Sequence, residues 1–133
     1  MHEWALARAV VSTVIKVAAE AGASGVKSVE VAVGELQELD ENAMLLAIGE
    51  LSRKTILEGA KWKFAKVEAA FRCRRCGEEW KMDRKKLDPD EAEAIHFIPE
   101  VAHAFIRCPS CGGPDFEITG GRGIWVERIE VSE

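Results

Sequence analysis

The chain has 133 residues, of which 47% are hydrophobic and 31% are charged, and its formal net charge is −5. A chain of this length can bury a real core in one domain or two small ones, and its acidic balance argues against general binding to nucleic acid or to an anionic membrane. No apolar run approaches the ~18 residues of a membrane span. The first residues also lack the basic-then-apolar order of a secretion signal, so the paired cysteines described below favour the reducing cytoplasm.

The first half of the chain predicts a helix, a strand and a second helix. Residues 3–21 repeat apolar side chains at three- and four-residue steps, which predicts an amphipathic helix with its buried face formed by Trp4, Ala7, Val11, Val14, Ile15 and Ala18. Valines then alternate with polar or small residues over 28–33 and predict a half-buried strand. Asp40 is the predicted N-cap of a second helix that reaches about Leu57, with its inward positions at Met44, Leu45, Ile48 and Leu51.

A second strand is predicted over residues 61–72, and its apolar phase changes partway along. Because a one-residue slip moves side chains to the other face of a sheet, this change predicts a bulge or a departure from the sheet. Short strands are predicted over 116–119 and 124–131, and the last one most simply rejoins the first sheet. The predicted fold is α+β: two helices on a small three-stranded sheet form a discontinuous domain, 1–70 plus 121–133, into which a four-cysteine module, 71–120, is inserted.

All four cysteines lie in two C-x-x-C pairs, and each pair is followed by glycine: Cys73 and Cys76 before Gly77, Cys108 and Cys111 before Gly112. Such a pair brings two thiolates onto one metal, and two pairs complete a closed tetrahedron of the kind that holds structural zinc. Iron is the rival, because Cys-Pro-Ser-Cys-Gly at 108–112 also suits a rubredoxin-like site. Free or disulfide-linked cysteines are the remaining alternative.

The N-terminal tripeptide Met1-His2-Glu3 offers a second kind of metal site. Methionine is normally removed only before small residues, so Met1 is expected to stay and to fix the register. An α-amine, the amide of His2 and its imidazole can chelate one ion, and planar nitrogen donors suit Ni(II) or Cu(II). The opposing interpretation is a frayed terminus in which His2 binds nothing.

Two further histidines, His96 and His103, lie in an apolar stretch between the cysteine pairs. Packed or hydrogen-bonded histidines are expected there. Nickel ligation by His96 is the alternative, which requires the long linker to fold back over the first helix. The sequence contains no P-loop, no G-x-S-x-G motif and no nucleophile beside a histidine. It therefore predicts that the protein is not an enzyme.

These features together resemble the HypA/HybF family of nickel metallochaperones for hydrogenase maturation. The resemblance rests on Met1-His2-Glu3, on Val-Gly-Glu-Leu at 33–36, on Thr-Ile-Leu-Glu-Gly-Ala at 55–60, on the two cysteine pairs and on the last strand. It therefore spans nearly the whole chain. The linker between the cysteine pairs is longer than is typical of the family.

The resemblance implies that His2 is the indispensable nickel ligand, with Glu3 and backbone nitrogens of the tripeptide contributing, and that Cys73, Cys76, Cys108 and Cys111 hold structural zinc. It implies delivery of Ni(II) to the precursor of the [NiFe]-hydrogenase large subunit, together with a maturation GTPase or ATPase. A monomer is predicted, with a domain-swapped dimer as the alternative. The runner-up functions are a zinc-ribbon module for protein or nucleic-acid binding and a rubredoxin-like electron carrier.

Overall fold

The computed structural model describes residues 3–37 and 39–132, with only the backbone of Arg84. Its helices are α1 (Glu3–Glu20), α2 (Glu41–Ser52), α3 (Pro89–Phe97) and α4 (Ala102–Phe105). Its strands are β1 (Gly25–Gly34), β2 (Lys61–Val67), β3 (Ala70–Cys73), β4 (Glu79–Lys81), β5 (Phe116–Gly120) and β6 (Ile124–Ser132). Short 3₁₀ turns lie at Glu35–Gln37, Arg84–Lys86 and Pro99–Val101. None of the helices in these ranges is both long and apolar enough to span a bilayer.

Helix α1 ends at Glu20, one residue before the predicted end, and one end of its buried face was predicted wrongly. Its buried side chains are Ala7, Val10, Val11, Val14 and Ala18. Trp4, predicted to be buried, is 50% exposed. A side chain in the first turn of a helix is covered only if another element extends past the helix end, and the periodicity of α1 alone carries no information about that.

Helix α2 begins as predicted, because the Asp40 carboxylate accepts the Ala43 N–H at 3.1 Å and caps the first turn. The prediction that it reaches about Leu57 is wrong, since the helix ends at Ser52. The Thr55 hydroxyl donates to the Ser52 carbonyl at 2.7 Å and accepts the Leu57 N–H at 3.1 Å. The helix stops because the backbone is extended at Arg53 and has a φ of 62° at Lys54, and Thr55 then closes a turn on Ser52, while Leu57 stays buried. Leu45, predicted to face inward, is exposed.

The first sheet has the strand order β2-β1-β6. The prediction that the last strand rejoins the first sheet is therefore confirmed. A charged triad lies across the three strands, because the Glu30 carboxylate is 3.7 Å from Lys63 Nζ and 3.8 Å from an Arg128 guanidinium nitrogen. Helices α1 and α2 pack against each other in the same compact unit.

The second sheet has the strand order β4-β3-β5. The chain leaves the first sheet after Val67 and enters the second at Ala70, which confirms the departure predicted from the change of apolar phase. Strand β3 pairs antiparallel with both neighbours, and its register with β5 is irregular between Ala70 and Phe71.

The linker between the cysteine pairs is folded. Asp88 begins α3 with a capping box, in which its carboxylate accepts the Glu91 N–H and the Glu91 carboxylate accepts the Asp88 N–H. Ile95 of α3 and Ala102 of α4 are buried in a core with Phe71 and Phe116 of the second sheet. The linker helices α3 and α4 therefore help to form the core of this unit.

The chain divides into two compact units. The first comprises Met1–Ala32, Leu39–Ala65 and Trp125–Glu133, and the second comprises Val33–Glu38 and Lys66–Ile124. Residues 33–38, which the predicted boundaries placed with the N-terminal domain, lie in the second unit. Gly34 donates to the Gly123 carbonyl at 2.8 Å, and Leu36 donates to the Gly121 carbonyl at 2.9 Å, which fastens this short segment to the residues after β5.

Candidate metal centre

The four cysteine sulfurs lie together at one end of the second sheet. Cys73 is the last residue of β3, Cys76 lies in the turn that leads to β4, and Cys108 and Cys111 precede β5. All four Sγ atoms are within 4.8 Å of one another. The Cys73–Cys111 and Cys76–Cys108 sulfur pairs are 3.7 and 3.5 Å apart. Four sulfurs at about 2.3 Å from one tetrahedral metal would be about 3.8 Å apart, so the cluster has the size that a bound ion requires.

The two cysteine pairs have the same backbone geometry. In each, the N–H of the second cysteine points at the sulfur of the first, at 3.5 Å for Cys76 to Cys73 and at 3.4 Å for Cys111 to Cys108. The glycine that follows each pair donates to the carbonyl of the first cysteine, and Gly77 and Gly112 have φ angles of 79° and 74°. Glycine reaches this left-handed region without strain, so its place after each pair has a local geometric reason.

Two long-range contacts align the pairs. The Arg74 N–H donates to the Asp115 carbonyl at 3.0 Å, and the Arg74 guanidinium contacts the Asp115 carboxylate at 3.0 Å. The first pair is thereby tied to the segment that follows the second pair. From the sequence, Arg74 and the neighbouring arginines were expected to form a solvated face, and its contact with Asp115 was not predicted because residues about forty positions apart share no local pattern.

The thiols differ in acidity although they belong to one cluster. The backbone N–H of Cys76 lowers the pKa of Cys73 to about 7. At Cys76 the Glu78 N–H lowers the pKa, but the neighbouring Cys108 thiol and burial outweigh it and raise the pKa to about 11. At Cys108 burial raises the pKa, but the N–H groups of Cys111 and Ser110 outweigh it, so the pKa is lowered. The cluster thus holds a thiolate readily at Cys73, whereas a metal has to displace the proton of Cys76.

An aromatic cluster supports the sheet that carries the cysteines. The rings of Phe71, Trp80 and Phe116 lie with their centroids 5.2 to 5.5 Å apart. The His103 ring stacks on Phe116 at 4.2 Å, and its Nδ1 is 3.0 Å from the Pro114 carbonyl. His103 is therefore a packed and hydrogen-bonded residue, as expected from its apolar surroundings.

The remaining predicted site residues are placed as follows. Met1 and His2 lie outside the described residues. Glu3 is the first residue of α1, and its Oε2 accepts the Asp40 N–H at 3.3 Å. His96 lies in the last turn of α3, in the second unit, with its ring 5.2 Å from that of Phe97. Within residues 3–37 and 39–132, the four cysteines are the clustered metal-ligand set, and the structure brings neither Glu3 nor His96 to them.

Fold and site together define a class: a small α+β protein whose second sheet carries a closed four-thiolate metal centre with no position left for a substrate. Comparison with known proteins narrows the class. Residues 1–131 match the family model described as "Hydrogenase/urease nickel incorporation, metallochaperone, hypA". The hydrogenase maturation factor HypA of Pyrococcus furiosus is 50% identical over 100% of this chain and 97% of its own length. That of Thermococcus kodakarensis is 49% identical over the same shares.

Solved structures share the fold. The solution structure of the Ni metallochaperone HypA from Helicobacter pylori has a TM-score of 0.65 at 16% identity, and it covers 99% of this chain and 98% of that one. A second solution structure of a HypA protein has a TM-score of 0.67 at 17% identity. The chain belongs to the HypA family. It is a metallochaperone for nickel incorporation in hydrogenase maturation and not an enzyme.

Proposed function

We propose that this protein binds Ni(II) at its N-terminal Met1-His2-Glu3 motif and delivers it to the precursor of the [NiFe]-hydrogenase large subunit in the cytoplasm. The observation that carries the proposal is the family match over residues 1–131, which includes the tripeptide. The Pyrococcus relative, similar over the whole chain, is named a hydrogenase maturation factor. Delivery would proceed together with a GTP- or ATP-hydrolysing maturation partner.

The start of α1 suits such a site. Because α1 begins at Glu3, the first N–H groups of the helix have no intrahelical partner, and binding of a metal to a backbone nitrogen there breaks no helical hydrogen bond. The Glu3 carboxylate accepts the Asp40 N–H and so holds the helix start beside the N-cap of α2. The α-amine, the amide and imidazole of His2, and Glu3 would supply the ligands. We propose His96 as a further ligand that changes the coordination geometry.

The second metal in the proposal is zinc, held by Cys73, Cys76, Cys108 and Cys111 as a structural ion. The sulfur spacing and the paired N–H groups support a closed tetrahedral site. When bound, the ion supplies stability to the module that surrounds it rather than reactivity. In this assignment residues 1–70 plus 121–133 form the nickel-binding domain and 71–120 the zinc-binding domain, and these bounds differ from the two compact units at residues 33–38, 66–70 and 121–124.

Calorimetry with Ni(II) tests the nickel site on three zinc-loaded, untagged proteins: the parent chain, His2→Ala, and a chain with two residues added before Met1. We expect both changes to weaken nickel binding strongly, since one removes the imidazole and the other removes the terminal amine from the chelate. The affinity of the parent should fall steeply between about pH 7.5 and pH 6, because an α-amine of pKa ~7.8 and an imidazole of pKa ~6.5 both take up protons there.

His96→Ala is the matched control, and it should cost less affinity than His2→Ala while it changes the absorption spectrum of the nickel complex. Undiminished nickel affinity in His2→Ala would show that nickel does not bind at the N-terminus. Zinc is checked separately by elemental analysis, which should find one tightly held ion per chain in all four proteins. A red protein containing iron would instead favour the rubredoxin-like interpretation.

A further inference from the structure

The second unit contains an open cavity that the metal centre does not use. Its volume is about 290 Å³, and it lies between strand β4 with its following turn on one side and residues 105–109 on the other. Both walls belong to the second compact unit.

The floor of the cavity is apolar and held in place. Trp80 packs on Phe71 and Phe116, and Met82, Leu87 and Ile106 are half-buried against the same core. Phe105, on the opposite wall, is 39% exposed. A rigid apolar floor beneath an exposed aromatic ring can take an apolar side chain without rearrangement, which keeps the entropic cost of binding low.

The rim carries positive charge although the whole chain is acidic. Lys81, Lys86 and Arg107 line the cavity, and Asp83 is the carboxylate among the lining residues. The Lys81 ammonium is paired with the Glu68 carboxylate at 2.7 Å, so Lys86 and Arg107 are the cations on which the proposal relies. The Arg107 guanidinium is oriented by its bonds to the carbonyls of His103 and Ile106, at 2.7 and 3.0 Å. The Asp83 carboxylate accepts the Lys85 N–H at 3.1 Å, a bond within its own turn. In a chain of net charge −5, this local excess of cations favours an acidic ligand.

Strand β4, which forms one wall, is an edge of its sheet. The Cys73 N–H bonds to the Glu78 carbonyl, and the Met82 N–H bonds to the Ala69 carbonyl. Because residues in an antiparallel pair alternate between bonded and non-bonded positions, this register turns the backbone groups of Trp80 toward β3 and those of Glu79 and Lys81 away from it. The outer edge of β4 thus offers N–H and C=O groups to a further strand.

We propose that β4 and this cavity together bind an extended segment of a partner protein in which apolar and acidic residues alternate. The segment adds to the sheet beside β4, places an apolar side chain between Trp80 and Phe105, and directs its carboxylates to Lys86 and Arg107. An extended peptide is favoured over a nucleic acid because it alone also pairs with the backbone of Glu79 and Lys81. This surface is separate from the proposed nickel site and does not depend on it.

The test uses the metal-loaded full chain and a blocked peptide of sequence Asp-Phe-Glu-Val-Asp, measured by calorimetry. We expect a dissociation constant below ~1 mM for this peptide, and no binding of a peptide in which lysines replace the acidic residues. Lys86→Glu should weaken binding about fivefold. Lys85→Glu is the matched control, since this neighbouring exposed lysine lies outside the cavity lining, and it should leave binding unchanged. Phe105→Ala should also weaken binding, whereas Phe97→Ala, outside the lining, should not.

Amide exchange measured by NMR reports the geometry directly. The bound peptide should slow exchange at Glu79 and Lys81 and leave Trp80, already paired with β3, unchanged. Peptides methylated on alternate amides should lose binding in the register that pairs with β4. Absence of peptide binding, equal effects of the Lys85 and Lys86 changes, or unchanged exchange at Glu79 and Lys81 would each overturn the proposal. So would preferential binding of a single-stranded oligonucleotide, or occupation of the groove by a second copy of the chain.

Discussion

Gly34 shows what one residue of the Val-Gly-Glu-Leu motif does. A Cβ atom built on Gly34 would lie 2.2 Å from the Gly121 carbonyl oxygen, a distance that no real contact adopts. The next residue, Glu35, accepts the Ala69 N–H at 2.8 Å through its carboxylate. The motif therefore holds the crossing point of three backbone segments, and Glu35 has a structural role there.

Replacing Gly34 with alanine should destabilise the protein, because the obstructing atoms are backbone and cannot turn aside. We expect Gly34→Ala to lower the free energy of unfolding by roughly 2–3 kcal/mol, the upper range for overpacked sites. The measurement is urea denaturation followed by circular dichroism.

Gly49→Ala is the matched control for that substitution. Gly49 lies within α2, and a Cβ atom there would meet nothing within 4 Å. Alanine should therefore raise the unfolding free energy by about 0.5–1 kcal/mol through its better helix propensity. Equal effects at the two positions would contradict the steric account of Gly34.

At the scale of elements, the two cysteine pairs have the same backbone geometry, but their thiols differ in proton affinity. The Cys73 thiol, with its pKa near 7, is partly ionised at neutral pH, whereas the Cys76 thiol, with its pKa near 11, is protonated. A bound metal has to displace whatever protons remain, so its apparent affinity follows pH.

Zinc affinity should therefore fall as pH falls, and the fall should steepen below about pH 7. Above the pKa of Cys73 that sulfur already carries its negative charge, whereas below it one more proton must leave, which adds about a tenfold loss per pH unit. Competition against a chromophoric chelator between about pH 6 and about pH 8.5, a range that includes the Cys73 pKa, measures this slope. A slope that stays constant through pH 7 would show that the Cys73 thiol does not titrate there.

At the scale of the whole molecule, the two units have separate cores. Helices α1 and α2 belong to the first, and the cluster around Phe71 and Phe116 belongs to the second. The metal centre lies entirely within the second unit. Loss of the metal should therefore act on one unit first.

Cys73→Ser should release the metal and open the second unit while the first stays folded. The expected result is loss of amide-exchange protection over residues 66–124, with protection kept in α1 and α2, because a closed thiolate site contributes folding energy to the module around it. Arg75→Ser is the control, since it introduces a serine between Cys73 and Cys76 without removing a metal ligand. Simultaneous loss of protection in both units would show that they unfold as one.

Local chemistry made much of this protein readable from its sequence. The cysteine cluster follows from two C-x-x-C-G turns, the cap at Asp40 from one carboxylate, and the exit from the first sheet after Val67 from a change in apolar phase. The cap, the exit and the geometry of each cysteine turn depend on residues a few positions apart, so the sequence alone contains their cause. The two turns lie far apart in the sequence, and their meeting was predicted because four thiolates complete one metal site. The tripeptide and the motifs at 33–36 and 55–60 likewise carry the resemblance to the HypA family, and the family match confirms it.

Contacts between distant residues decided the rest. Whether Trp4 is covered depends on what lies beyond the end of α1, and α2 ends at Ser52 because Arg53 is extended and Lys54 has a φ of 62°. Only the folded chain shows that Gly34 meets Gly121, that Arg74 reaches Asp115, and that the linker builds a cavity beside β4. These contacts join residues tens of positions apart, and their energies depend on burial and shape, which no local pattern encodes.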